Sequence, residues 1–338
     1  MTVYRARTPL RISFAGGGTD VSPYREERGG AVLSATINRW AYATLIPGGD
    51  RLEVESVDYD VSVSYQLDQE MVFDGQLDLA KAALAYFRRT YGFQEGLRVR
   101  LHNDAPPGSG LGSSSAMVVA LTGALSTYLN INMDPYAVAQ TAYTIERNEA
   151  GIKGGQQDQY ATSFGGFNFI EFEHGEAVVN PLRLRTETVY ELEYGLVLAY
   201  VGGQHFSGHI IDKQMENFIA KRVDAVAAMD RIKELAYEMK RALLLGEIGT
   251  FGALLDQAWQ AKKRMAEGIT NSRIDAVYDA AKSAGALGGK LSGAGGGGFM
   301  FFVVDPEQRF AVQDALKTNG VEIANLAFTE EGMRSWIV

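Results

Sequence analysis

The sequence predicts an α+β protein of two domains. Length is the first reason: 338 residues suffice for two lobes, each with its own core. The order of patterns is the second. Strand-like alternation fills much of the first hundred residues, then a glycine loop opens an alanine-rich apolar helix, and helical spacing dominates from about residue 211. The division is placed at residue 189, giving domains of 1–188 and 189–338.

Residues 7–20 run from a short strand into a glycine turn. Leu10, Ile12 and Phe14 alternate with Arg11 and Ser13, so Arg11 leaves the face opposite the apolar side chains. Gly16, Gly17 and Gly18 leave room for a ligand, and Thr19 and Asp20 offer acceptors suited to a polyhydroxylated one. A hairpin turn with a solvated Asp20 is the plainer alternative. Residues 31–46 read as a strand pair closed by Pro47-Gly48-Gly49-Asp50, and residues 52–65 as a strand. Residues 77–91 have helical spacing, and 97–101 form a short strand.

The most informative stretch is 103–116. Pro106 and Pro107 stop the preceding strand. Gly108, Gly110 and Gly112, alternating with Ser109 and Leu111, then let the backbone bend tightly and approach a ligand. Ser113, Ser114 and Ser115 are N-cap candidates for an apolar helix over 117–129. A glycine loop feeding a helix N-terminus is an anion site, because unpaired N–H groups and the positive dipole end point at the bound group. No lysine precedes the serines, so this is not a Walker A loop, and Ser113 stands where the third glycine of G-x-G-x-x-G would be. Hydroxyls at a phosphate site can also serve a hard metal ion.

Residues 135–149 read as a helix with Glu146 and Glu149 near its C-terminal end, where the dipole disfavours acids. Cation ligation or an ordinary surface pair would account for them. Lys153 and Asp158 then lie in a polar, glycine-rich segment that opens a new helix, and Asp158 is either a proton acceptor, a cation ligand or a helix cap. Residues 164–170 turn into a strand that closes the first domain.

In the second domain, 195–201 is an apolar strand, followed by a loop with His205 and His209. No third ligand and no H-E-x-x-H accompany them, which argues against zinc. A long helical region covers 211–245, and further helices cover 247–266 and 271–285. Glycines fill 288–298. Gly293, Gly295 and Gly298 formally match G-x-G-x-x-G, but this loop precedes a strand rather than opening a helix, so a dinucleotide site is rejected. A helix over 306–317 and a strand over 321–328 end the chain.

The net charge of −9 and the lack of a basic run exclude nucleic acid and an anionic membrane as partners. There are no cysteines, hence no disulfides and no thiolate-bound zinc. The N-terminus lacks a signal-peptide core and no apolar run approaches about 20 residues, so a cytoplasmic protein is expected.

Three glycine-rich segments, near 16, 110 and 295, form a far more specific pattern together than any one alone. They resemble the GHMP kinase superfamily, which includes galactokinase and the homoserine, mevalonate and phosphomevalonate kinases. Residues 107–116 look like its phosphate loop, 290–298 like its C-terminal glycine motif, and 9–20 like its N-terminal motif. The resemblance covers essentially the whole chain. It implies a ribosomal-protein-S5-like N-terminal domain, a ferredoxin-like C-terminal domain and a site between them that uses ATP and Mg²⁺.

Residue by residue, Ser114 and Glu146 match the Mg²⁺ ligands, Asp158 the catalytic aspartate, Arg11 the basic residue beside it, and Asp20 the sugar-binding aspartate. Gly293 and Gly295 would line the substrate. With Arg11 or Lys153 beside it, Asp158 would orient the acceptor hydroxyl and take its proton late in the transfer. Gly17 and Gly18 stand where galactokinases carry Glu-His. That departure is similar to the branch of the heptose-phosphate and fucose kinases, and it implies a sugar-phosphate substrate. Lys153, Arg39, Arg183 and His205 are candidates for its phosphate.

Overall fold

The computed structural model describes residues 2–106, 108–173, 175–203 and 207–338. Two long antiparallel strands, β1 (Tyr4–Ala15) and β2 (Gly30–Pro47), carry the first domain. The register between them shifts at Pro9, which has no N–H to give the ladder. A short helix, α1 (Tyr24–Arg28), joins them. Residues 31–46, expected as a strand pair, are therefore one strand. Besides β1 it serves two different neighbours: β5 (Leu97–Asn103) along its second half and β6 (Phe167–Glu173) along its first. The expected strand over 52–65 is instead a hairpin, β3 (Arg51–Ser56) and β4 (Val61–Gln66), whose turn includes Asp60 at φ +50°.

The helices of this domain are α2 (Asp78–Tyr91), α3 (Ser113–Tyr128), α4 (Pro135–Tyr143) and α5 (Gln157–Phe164), and a π-helical turn, Thr144–Glu149, extends α4. α3 is apolar nearly all round, as its alanine-rich sequence requires, and is buried along most of its length. With β7 (Glu176–Pro181), the first sheet has eight strands. Its main path is antiparallel except where β3 runs parallel to β5.

The second domain has α6 (Thr186–Tyr194), β8 (Leu196–Tyr200), α7 (Ser207–Ile219), α8 (Val223–Leu245), α9 (Ile248–Lys263), α10 (Ser272–Ser283), β9 (Ala286–Leu291), β10 (Phe299–Val304), α11 (Arg309–Thr318) and β11 (Glu322–Ala324). Its four-stranded antiparallel sheet is ordered β11-β8-β10-β9. The helical region over 211–245 is broken in two, with Lys221 at φ +51° in the break. The glycine stretch 288–298 begins inside β9, so only its second part is loop. A strand absent from the sequence reading, β12 (Arg334–Ile337), pairs with β1 and returns the chain end to the first sheet.

One apolar core spans both halves. Phe14 of β1 meets Phe251 of α9 at 5.2 Å and Phe301 of β10 at 5.8 Å, both edge to face, with Phe167 stacked beside it. Burying such a ring contributes about 2–3 kcal/mol and each aromatic pair about 0.5–1.5 more, so the two sheets are held in fixed register at their junction. Among the described residues, no helix is long and apolar enough to cross a membrane.

Candidate active site

The glycine loop hangs across the domain junction. On the first-domain side, the Arg11 N–H donates to the Leu111 carbonyl at 3.0 Å, and the Asn103 amide donates to the Ser113 carbonyl at 3.1 Å. On the second-domain side, the Phe299 N–H donates to the Ser109 carbonyl at 2.8 Å and the Ser292 hydroxyl donates to the Gly110 carbonyl at 2.8 Å. Leu111 and Ser109 are buried, while Pro107 lies outside the described residues. Gly108, Gly110 and Gly112 all have positive φ. Gly112, not a serine, is the N-cap of α3, and Ser113, Ser114 and Ser115 make its first turn. The Ala116 N–H bonds back to the Gly112 carbonyl, which leaves the N–H groups of Ser113, Ser114 and Ser115 as the first-turn donors without an i−4 partner in the helix.

Arg11 leaves β1 on the face opposite the core, as the alternation requires, yet it is buried by the loop and α5. Its Nε donates to Asp158 Oδ1 at 2.6 Å and its Nη1 to the Gly110 carbonyl at 2.6 Å. Asp158 is thus not a helix cap: it sits in the first turn of α5, one-fifth exposed, paired with a cation that also grips the glycine loop. Asp20 is fully buried rather than solvated. Its oxygens accept the Gly18 N–H (3.0 Å), the Gln157 N–H (3.0 Å) and Gln157 Nε2 (3.2 Å). Gly155 backs onto it so closely that any Cβ there would lie 1.9 Å from Oδ2. Thr19 folds inward, donating to the Gly16 carbonyl at 2.8 Å and accepting from the Ala31 N–H, so its hydroxyl shapes the Gly16-Gly17-Gly18 turn.

Glu146 is buried in the π-helical turn, a distortion common at functional sites. Its Oε2 accepts from the Ser115 hydroxyl at 2.7 Å and Gln159 Nε2 at 2.6 Å, and Arg147 stands 3.2 Å from Oε1. The hydroxyl brought to Glu146 is therefore that of Ser115. Ser114, one residue earlier, is turned about 100° round the helix and is exposed. Glu149 is an ordinary surface pair: Arg89 contacts both its oxygens, at 2.7 and 3.0 Å, and holds its carboxyl below the usual range.

Residues 78–166 match the family described as GHMP kinases N terminal domain, and residues 239–322 match GHMP kinases C terminal. Across 99% of both chains the protein is 38% identical to D-glycero-alpha-D-manno-heptose 7-phosphate kinase of Campylobacter jejuni. The chain belongs to the GHMP kinase family. It is accordingly a phosphotransferase with the two-domain fold of that family. A solved D-glycero-D-manno-heptose 1-phosphate kinase from Bacteroides thetaiotaomicron superposes with a TM-score of 0.83 at 36% identity, over 98% of each chain. Mevalonate kinase of Methanococcus jannaschii, at 18% identity and a TM-score of 0.76, shares the fold alone.

Two buried lysines of this GHMP kinase lie at the junction without a role in the sequence reading: Lys262, and Lys290, which opens the 290–298 glycine motif. Lys262, near the end of α9, is 4% exposed and donates to the Gly293 carbonyl at 2.8 Å. Lys290, on β9, is 3% exposed and donates to the Ser13 carbonyl at 2.7 Å. A lysine in the last turn of a helix looks like a dipole complement, and Lys290 was hidden in a stretch read for its glycines. Gly295 packs against Ile269. Lys153 is exposed, as is Arg183, whereas Arg39 is spent on the Asp104 and Asn325 carbonyls. His205 lies outside the described residues.

Proposed function

We propose that this kinase transfers the γ-phosphoryl group of ATP to the anomeric O1 hydroxyl of D-glycero-D-manno-heptose 7-phosphate, giving the 1,7-bisphosphate on the route to a nucleotide-activated heptose. The observation that carries the reading is the 38% identity, over 99% of both chains, to the Campylobacter jejuni heptose 7-phosphate kinase. The absence of cysteine fits a reducing cytoplasm as its place of action.

The N–H groups of the α3 first turn, Ser113 to Ser115, with those of Gly108, Gly110 and Gly112 and the α3 dipole, would hold the nucleotide phosphates. The Ser109 and Leu111 N–H groups bond within the loop and fix its shape. The Gly16-Gly17-Gly18-Thr19 turn and Asp20 form the sugar side. Asp20 acts there with Gln157, whose Oε1 is buried without a donor and suits a sugar hydroxyl. Asp158 takes the proton of O1 as that oxygen bonds to phosphorus and the bond to ADP breaks. Phosphoryl transfer asks mainly for in-line placement and charge neutralisation; the Arg11–Asp158 pair, held on the loop, would serve the placement. Lys153, exposed in the segment before α5, would face the substrate's tail.

The donor set suits Mg²⁺: the serine hydroxyls of the α3 first turn and Glu146 are all oxygen ligands. No group of three or more His, Cys, Asp or Glu could hold a metal among the described residues, so water and phosphate oxygens must complete the shell, as this ion prefers. Glu146 and the Ser115 hydroxyl it already accepts would hold it, with Ser114 on the adjoining exposed face of the same turn, and when bound it would neutralise phosphate charge. Glu146→Gln keeps the hydrogen-bonding shape but loses the charge. It is expected to raise the Mg²⁺ concentration for half-maximal rate about tenfold, and an unchanged Mg²⁺ dependence would return Glu146 to a purely structural role.

The acceptor is tested by kcat/KM across heptose 7-phosphate, heptose 1-phosphate, mannose, fucose, galactose and N-acetylhexosamines. One or two charge-assisted contacts to the substrate phosphate, at about 1.5–3 kcal/mol each, should favour heptose 7-phosphate at least about tenfold. A hexose or fucose that wins sinks the heptose reading and leaves the kinase intact.

A further inference from the structure

Lys262 is an expensive residue to bury, and the rest of its helix does not need it. An ammonium has three donors, and among the described residues its one hydrogen-bond acceptor is the Gly293 carbonyl. It makes no ion pair with any described carboxylate, yet it faces two of them, Asp20 from the turn after β1 and Asp158 from α5, as well as Arg11 from β1 and Lys290 from β9. These are the charged groups around it. They come from both domains, and Gly293 belongs to the loop that presses on Gly110.

We propose that Lys262 is a positioning residue for the phosphoryl transfer: its ammonium ties the C-terminal glycine loop to the junction and supplies the counter-charge that keeps Asp20 and Asp158 together in one pocket. The inference rests on the kinase reading above, and it adds a component from α9 that the three glycine motifs do not contain. A fully buried Asp20 and a partly buried Asp158 repel each other, and Arg11 is committed to only one of them. A third charged group is needed for balance. Lys262 fits that need better than Lys290. Burial pushes Lys262 down to about 8, with Asp20 and Asp158 opposing the fall, so it keeps its proton at neutral pH. Burial, with Lys262 and Arg11 as like charges, pushes Lys290 well below its usual range, and no carboxylate opposes it.

The sign follows directly. Below about pH 8 the ammonium is charged and the pocket is balanced; above it the amine is neutral and the carboxylates are uncompensated. Wild-type kcat should therefore fall on an alkaline limb centred near 8. In Lys262→Arg, whose charge persists, the limb should move beyond pH 9. In Lys262→Met the rate at pH 7 should fall about ten- to a hundredfold, the scale of one lost charge-assisted hydrogen bond, with no limb left. A structural role alone would lower Tm without moving the limb. Lysine side-chain NMR reads the same cluster without turnover: a lysine signal titrating near 8, absent from Lys262→Met, should titrate lower in Asp20→Asn and in Asp158→Asn. A flat wild-type profile from pH 7 to 9.5, a limb that Lys262→Arg leaves in place, or a midpoint insensitive to both Asn variants each overturns the proposal. A wild type that phosphorylates no sugar sinks the acceptor reading instead, while the NMR titration still decides the role of Lys262.

Discussion

Asp158→Asn is expected to lower kcat by about 10²–10⁴-fold while leaving fold and nucleotide affinity near those of wild type. The size follows from what the substitution removes. Asn keeps the shape of the side chain and an oxygen for Arg11 Nε, which now donates to Asp158 at 2.6 Å, but it cannot take a proton from the acceptor hydroxyl. Arg11 also keeps its second hold, on the Gly110 carbonyl, so the glycine loop stays in place. The carboxylate is one-fifth exposed at the start of a helix, and nothing in the apolar core depends on it. Stopped-time assays of sugar phosphate, with calorimetry of Mg·ADP on the same preparation, separate the two effects. Turnover within a few-fold of wild type would reduce Asp158 to a partner of Arg11.

What could be read in advance has a physical pattern. The glycine loop was legible because positive φ at Gly108, Gly110 and Gly112 admits little else, so the backbone's need is written as residue type. Arg11 was placed on the correct face by period-two alternation in β1, although its burial was not visible, since the loop that covers it comes a hundred residues later. Three serines in a row carry no phase, so the sequence could not say that Ser115 turns to Glu146 while Ser114 faces out. α3 starts at Ser113 rather than at the expected 117 for a related reason: serine is a good cap, but Gly112 already provides the reversal. Lys262 was out of reach because its meaning lies in Asp20, Asp158 and Gly293, each distant in sequence. β12 has four exposed residues without apolar alternation, and only the free edge of β1 makes it a strand.

Gly110→Val should weaken Mg·ADP binding at least about a hundredfold in protein that is still folded. Two independent costs coincide at this position. Gly110 has φ +77°, where a β-branched residue is strained by about 1–3 kcal/mol. A Cβ there would also lie 2.3 Å from the Ser292 carbonyl oxygen and 2.9 Å from its carbon, and these are backbone atoms that cannot swing away. The loop must therefore move, and its movement pulls the Gly110 carbonyl from Arg11 (2.6 Å) and from the Ser292 hydroxyl (2.8 Å) together. The loop amides lose the arrangement that cradles phosphate, and the same contact ties the two domains together, so Tm should fall by several degrees. Gly92→Ala separates strain from clash. Gly92 has φ +80° at the end of α2 with nothing within 4 Å of its missing Cβ, so that variant should lose some stability and keep its affinity for nucleotide. If folded Gly110→Val binds Mg·ADP as wild type does, the nucleotide phosphates are held somewhere other than this loop.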